Sequence, residues 1–178
     1  MPSCYNNSTR DQASEVLSRG QDLTVLILRG HRLIEEVLED YVRRIFQNQR
    51  AIEPTRLTFE QKFGLALEHI DLPSWRDDEE NDEDDDVDYR IAEEMLGEVK
   101  LLNKLRHIIS KRILSCIQPV IKSHYAAIPD IESQVRQCLG FPPNITGMEL
   151  IEMTRSDILC LHAYLASFTE ATFEGDGD

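Results

Sequence analysis

Apolar residues recur every three or four positions over most of this chain, the spacing of one face of an α-helix. From Leu23 to Phe46 they fall at Val25, Leu26, Leu28, Leu33, Ile34, Val37, Leu38, Tyr41, Val42, Ile45 and Phe46. Arg32, Glu35, Glu36, Glu39, Asp40, Arg43 and Arg44 fill the other side, with Glu39–Arg43 and Asp40–Arg44 as favourable i,i+4 pairs. The pattern predicts a long helix near residues 23–48. Gly30 inside it is unfavourable on propensity alone, and close helix packing is the expected reason for it. Thr58-x-x-Gln61 reads as a capping box ahead of Phe59, Phe63, Leu65, Ala66, Leu67 and Ile70, a short helix stopped near Leu72-Pro73.

A third helix is expected near 89–117, with Ile91, Met95, Leu96, Val99, Leu102, Leu105, Ile109, Ile113 and Cys116 as its stripe. Leu101, Ile108 and Leu114 widen the stripe, so burial around much of its girth is expected. Pro119 marks a boundary or kink, and 121–127 can continue as helix. Pro129-Asp130 opens a short helix over 131–139 that Gly140 stops. Thr146-x-x-Glu149 is a second capping box, opening a last helix near 147–170. There is no strand-length segment of period two, no Gly-rich phosphate loop and no internal repeat. The fold class expected is all-α, a helical bundle with a long helix pair and smaller helices around it.

The length of 178 residues suits one domain. Residues 1–20 are expected to be a flexible or helical N-terminal extension, 21–171 a single helical domain, and 172–178 an acidic disordered tail. The net charge of −14 is unevenly placed. Asp77 to Asp88 holds ten acids and no base, and Glu170 to Asp178 four acids and no base, which leaves the remainder near zero. The first of these runs reads as an acidic loop, 76–88, inserted between helices; mutual repulsion keeps such a run solvated. It works as a solubilising insertion or as a mimic of nucleic acid for a basic partner, the former being favoured. The overall charge argues against non-specific nucleic-acid binding and leaves nucleic acid only a local basic groove.

Cys4, Cys116, Cys138 and Cys160 show no metal or redox spacing. Three lie in apolar helical patterns, so buried, reduced thiols are expected. With no apolar run of membrane length and a polar start at Met1 to Arg19, the chain reads as cytoplasmic, with no membrane association. No metal site and no cofactor are expected.

Chemistry concentrates at Leu102-Asn103-Lys104-Leu105-Arg106-His107-Ile108-Ile109-Ser110-Lys111-Arg112. Arg106 shares a stripe with Leu102, Ile109 and Ile113, and a guanidinium beside an apolar seam needs an acceptor. Lys104, Arg106, Lys111 and Arg112 are the candidate binding residues. In one reading they form a basic face that is solvated or paired within the chain, with Glu35, Glu36 or Glu39 as partners; in the other they line a functional groove. Arg155 and His162, at i,i+7, form a second Arg–His arrangement, read as a surface Arg and a core-edge His. His31, His69 and His124 are isolated in sequence.

The segment "LNKLRHIISK" resembles the L-x-x-L-R-N-x-x-A-H segment of HEPN-like helical proteins, and within them the mannitol operon repressor family is most similar. "VLILRGHRLIEEVLEDYV" resembles that family's first long helix, and "RLTFEQKFGLALEHIDL" its L-T-F-x-x-K-x-x-L-A segment. The ordered likeness spans roughly Leu23 to Arg112, and "LTFEQKFGLA" carries most of it. The resemblance implies an antiparallel HEPN-like helical bundle, often a homodimer. In catalytic HEPN members an Arg and a His five residues later serve metal-independent RNA cleavage. Arg106 matches the Arg, His107 stands at the adjacent polar position, and Lys111 stands where that His would be. Lysine stays charged where histidine exchanges a proton, so Lys111 is a poor base.

The leading expectation is a non-enzymatic helical regulatory and interaction module, similar to mannitol-repressor-like transcriptional regulators. It would act through protein contacts, as a homodimer through its long helices or on another protein partner. No helix-turn-helix with a basic recognition helix is evident, so repression through a partner fits better than direct DNA reading. The rival is a HEPN-type metal-independent ribonuclease or toxin component centred on Arg106, with His107 or Lys111 as its catalytic candidates.

Overall fold

The computed structural model describes residues 7–18, 22–46, 53–69, 85–117 and 130–174. These form six α-helices and one 3-10 turn, with no strand among the described residues: α1 (Asn7–Ser18), α2 (Leu23–Ile45), the turn Pro54–Arg56, α3 (Phe59–His69), α4 (Asp85–Ile117), α5 (Ile131–Cys138) and α6 (Gly147–Glu174). The all-α expectation holds, and the helices pack as a bundle around α2.

Local chemistry sets the helix ends. Asp22 caps α2, its carboxylate accepting from the Val25 amide at 3.1 Å. The Thr58–Gln61 capping box forms in both directions: the Thr58 amide donates to Gln61 Oε1 at 2.9 Å and the Gln61 amide to Thr58 Oγ1 at 3.3 Å. Gly140, at φ +67°, ends α5. The Phe141 amide there reaches back to the Arg136 carbonyl, as a Schellman stop requires.

Two boundaries move. α4 starts at Asp85, so the last residues of the acidic run belong to a helix rather than to the loop expected over 76–88. Residues 76–84 lie outside the described residues. α6 continues to Glu174, into the stretch expected as tail, and 175–178 lie outside. So do residues 47–48 of the first expected helix and the 121–127 continuation.

The core gathers Leu26, Ile27 and Ile34 of α2, Val99, Leu105 and Ile109 of α4, and Leu150 and Leu161 of α6. The buried Leu17 brings α1 into it as well, and Arg29 pins that helix by donating to the Val16 carbonyl at 3.2 Å. Ile113, placed on the α4 stripe by its period, is 42 % exposed. Cys160 is exposed and Cys138 only half-buried, so the expectation of buried thiols fails for both. The 3.6-residue period gives the direction of a side chain but not where the neighbouring helices end.

Side-chain pairings give the helix directions. His31 meets Phe59, and Glu35 and Glu39 meet Lys62, so α3 runs along α2 in the same sense. Glu60 meets His107 while Lys100 lies over Phe63, so α4 runs antiparallel to α3 and hence to α2. Gly30 touches Ile158, and Tyr41 lies near Phe168, so α6 runs alongside α2 in its own direction. The intervening α3, α4 and α5 supply the return that a parallel pair needs.

Gly97, in α4, has open space where a Cβ would stand. Gly97→Ala is therefore expected to stabilise by about 0.5–1 kcal/mol, the helix-propensity difference, and denaturant unfolding at unchanged m-value checks it.

Candidate functional site

The segment Leu102–Arg112 lies in the middle of α4 and splits by helical phase. Leu102, Leu105 and Ile109 are buried, Asn103 and Arg106 flank them half-buried, and Lys104, His107 and Lys111 are exposed. The Arg112 side chain lies outside the described residues. The expected partners of this basic segment are engaged elsewhere. Glu35 and Glu39 hold Lys62 Nζ at 3.0 and 3.1 Å, and Glu36 takes Arg32 Nε at 2.8 Å. The reason is α3, which lies along that side of α2 and presents Lys62 to it. Lys62 is only 2 % exposed.

In place of that pairing, three helices converge on a polar chain. Asn103 Nδ2 donates to Glu60 Oε1 at 2.9 Å, and Asn103 Oδ1 lies 3.0 Å from His31 Nε2. His107 Nε2 lies 3.3 Å from the same Glu60 oxygen. The proton positions follow from the donor inventory. A carboxylate only accepts, so Asn103 turns its NH₂ to Glu60 and its oxygen to His31, and His31 Nε2–H is the donor. His107 likewise donates from Nε2, leaving Nδ1 as the nitrogen able to accept a proton. The capping box that starts α3 holds Glu60 in place, and the His31 ring lies 4.6 Å from the Phe59 ring.

The electrostatics match this placement. Hydrogen bonds, first from Asn103 and then from its own backbone amide and His107, hold the Glu60 carboxyl down at about 2. Burial pushes the His31 imidazolium pKa below its usual value, and the Arg106 charge acts in the same direction against the Asn103 bond. His31 is thus a neutral, closed-off member of the chain, while His107 and Arg106 face outward. Among the described residues, Lys104, Arg106 and Lys111 make no hydrogen bond or ion pair.

The sequence reading finds Arg106, His107 and Lys111 but not the residues that organise them. His31 and Asn103 stand 72 positions apart, and Glu60 sits in a different helix from both. Lys62 belongs to the "LTFEQKFGLA" segment, and the structure gives that segment structural work: a cap at Thr58, core packing at Phe59 and Phe63, and a buried ion pair at Lys62. The second Arg–His arrangement does not assemble as read. Arg155 is half-buried and paired with Glu152 one turn away, whereas the buried His162 faces the α1 side near Glu36. The His69 and His124 side chains lie outside the described residues. Among the described residues no group of three or more metal-ligating side chains gathers, and no helix is long and apolar enough to cross a membrane.

Burial also raises the carboxyl pKa of Glu98 in α4 and of Asp157 in α6, and at Glu98 the charges of Asp157 and Glu94 add to the rise. A raised folded-state pKa means that the folded protein binds the proton more tightly, so stability falls as pH rises through that range. Asp157→Asn is expected to raise the melting temperature at neutral pH. Its advantage over wild type should shrink below the raised folded value and vanish below the ordinary aspartate pKa. Thermal melts across pH 3–8 check both the sign and the closing of the gap.

No family model, curated protein or solved structure matches the chain. The site has therefore to be read from its own geometry.

Proposed function

We propose that the protein is a non-enzymatic helical regulatory module, similar in kind to mannitol-repressor-like regulators, acting through protein contacts along α4. The observation that carries the reading is the unpaired basic edge. In a chain of net charge −14, Lys104, Arg106 and Lys111 have no carboxylate partner among the described residues. A half-buried guanidinium left in that state is poised to pair across an interface, where a desolvated Arg–carboxylate contact is strong. The complementary acidic surface is supplied by a second copy of this chain, which makes the working form a homodimer. Lys111, standing where the resemblance would place a catalytic His, suits contact better than proton transfer. Transcriptional repression, the role implied by the resemblance, would then run through a partner rather than through direct reading of DNA.

Light scattering at low and high salt tests this. A dimer is expected at low salt, shifting toward monomer as salt screens the contact. Lys104→Glu with Arg106→Glu should give a monomer with an unchanged circular dichroism spectrum. A chain that stays monomeric at all salt concentrations would sink the dimer.

One observation favours the ribonuclease reading: Glu60 orients His107, leaving its Nδ1 available on the same helix as Arg106. An oriented imidazole and a nearby cation are what metal-independent cleavage of a phosphodiester asks for. RNA incubated in chelator with wild type, Arg106→Ala and His107→Ala separates the two readings. No cleavage is expected from any of them; wild-type cleavage falling about 10²–10⁴-fold in either variant would replace the first reading with the second.

A further inference from the structure

A second concavity lies on the far side of α2 from His31. Helices α1, α2 and α6 bound an open cleft of about 410 Å³. That volume falls in the range of small-molecule sites, roughly 300–1,000 Å³. The α2 residues facing it are Leu33, Glu36, Val37, Asp40 and Arg44, one stripe at helical spacing, whereas Glu35 and Glu39 turn to Lys62. The cleft is thus separate from the α3–α4 edge and independent of the function proposed for it.

Its lining combines an apolar wall with a rim of one predominant sign. Ala13, Val37 and Ala166 supply the wall. Among the described lining residues, Glu36, Asp40 and Glu170 stand with one arginine, Arg44. Two of these acids are engaged already: Asp40 accepts from Arg44 at 2.8 Å, and Glu36 from Arg32 at 2.8 Å. Among the described residues no cation pairs with Glu170. Thr169 is buried in the same wall, and its hydroxyl donates to the Leu165 carbonyl at 2.8 Å. That leaves the hydroxyl oxygen as an acceptor. Carboxylates and a hydroxyl oxygen offer acceptors, and the apolar wall offers a place for a hydrocarbon body. A metal ion is a poor match, since no group of three ligating side chains gathers among the described residues.

We propose that this cleft binds a small organic cation, a primary amine on a short apolar body, with the ammonium at Glu170 and the body against Ala13, Val37 and Ala166. The charge complement decides the class: with Asp40 and Glu36 already paired to arginines, Glu170 is the carboxylate left to answer, so an anionic ligand of the same shape would be repelled by it and a neutral one would leave it without an ion pair.

Isothermal titration with phenethylamine, 2-phenylethanol and 3-phenylpropanoate tests the proposal. Phenethylamine should bind saturably with a Kd of about 1 mM, as expected for a ligand of this size, and the alcohol and the acid should bind at least about tenfold more weakly. Glu170→Gln should weaken the amine about fivefold or more while leaving the melting temperature close to wild type. Ala166→Phe, which fills the cleft without changing charge, should abolish binding. If Ala166→Phe does not fold, Val37→Phe is the substitute from the opposite wall. Equal binding of the amine and the acid, amine affinity unchanged in Glu170→Gln, or no saturable binding of the amine would each overturn the proposal.

Discussion

Replacing Lys62 with methionine is expected to lower the unfolding free energy by about 3 kcal/mol, near the low end of the roughly 3–5 kcal/mol for removing one partner of a buried ion pair. The ammonium is 2 % exposed and bridges Glu35 and Glu39, which stand one turn apart on α2. Without it, two like charges face each other on one helix side with no cation between them. The low end applies because Glu35 and Glu39 keep 22 % and 14 % of their side-chain exposure, and because Arg43 still reaches Glu39 at 3.1 Å. For a chain of this size the loss corresponds to roughly 6–12 °C in Tm. The triple variant Lys62→Met, Glu35→Gln, Glu39→Gln should recover most of it, since a neutral replacement of the whole group leaves no charge stranded. Denaturant unfolding of the single and triple variants measures both. A single variant within 0.5 kcal/mol of wild type, a margin typical of surface substitutions, would show that the pair adds nothing to stability.

The same lysine shows where sequence reasoning stops. Periodicity in "LTFEQKFGLA" identifies a helix with Phe59, Phe63 and Ala66 on its apolar face, and all three are buried. Nothing local distinguishes Lys62 from an exposed lysine, because its burial depends on which side of α2 the helix docks. Glu35 and Glu39 carry half of that information, and their spacing of four hints at a shared cation. The sequence reading assigns that cation to α4, where the basic segment is, rather than to α3. Asn103 and Glu60 escape notice for a related reason. A helix-surface amide or carboxylate has no distinguishing signature until another helix brings it a partner. Arg106 and His107 stand out because chemistry in a short motif is local. What holds them is tertiary, and it includes a histidine the sequence reading leaves isolated. Helix ends defined by caps, at Thr58 and Gly140, are legible because the signal and the structure sit within one turn of each other. The start of α4 is not, since like-charge repulsion predicts loop at Asp85 to Asp88, whereas the helix begins at Asp85.

Gly30 is the packing feature most plainly legible in the sequence, and it carries the second large effect. A glycine in the middle of a long helix costs stability on propensity, so its presence asks for a reason. The reason is α6: a Cβ at Gly30 would stand 2.6 Å from Ile158 Cδ1, 2.8 Å from Cγ2 and 3.1 Å from Cγ1. Ile158 is 3 % exposed and stiff at χ1, so it cannot swing aside without disturbing its neighbours. Gly30→Ala should therefore destabilise by about 1–3 kcal/mol, the usual cost of overpacking a core, despite the gain of up to about 1 kcal/mol that alanine brings to a helix. The contrast with Gly97→Ala is diagnostic, because the same chemical change at two helix interiors carries opposite signs. Ile158→Ala alone should cost about 2–5 kcal/mol through its cavity. Combined with Gly30→Ala it should cost less than the two singly, by about 1–3 kcal/mol, because the new methyl enters the space the isoleucine left. Strict additivity in that double-mutant cycle would mean that α2 and α6 do not meet at this point. It would remove the close approach that fixes the spacing of the two helices and, with it, the shape of the cleft they share with α1.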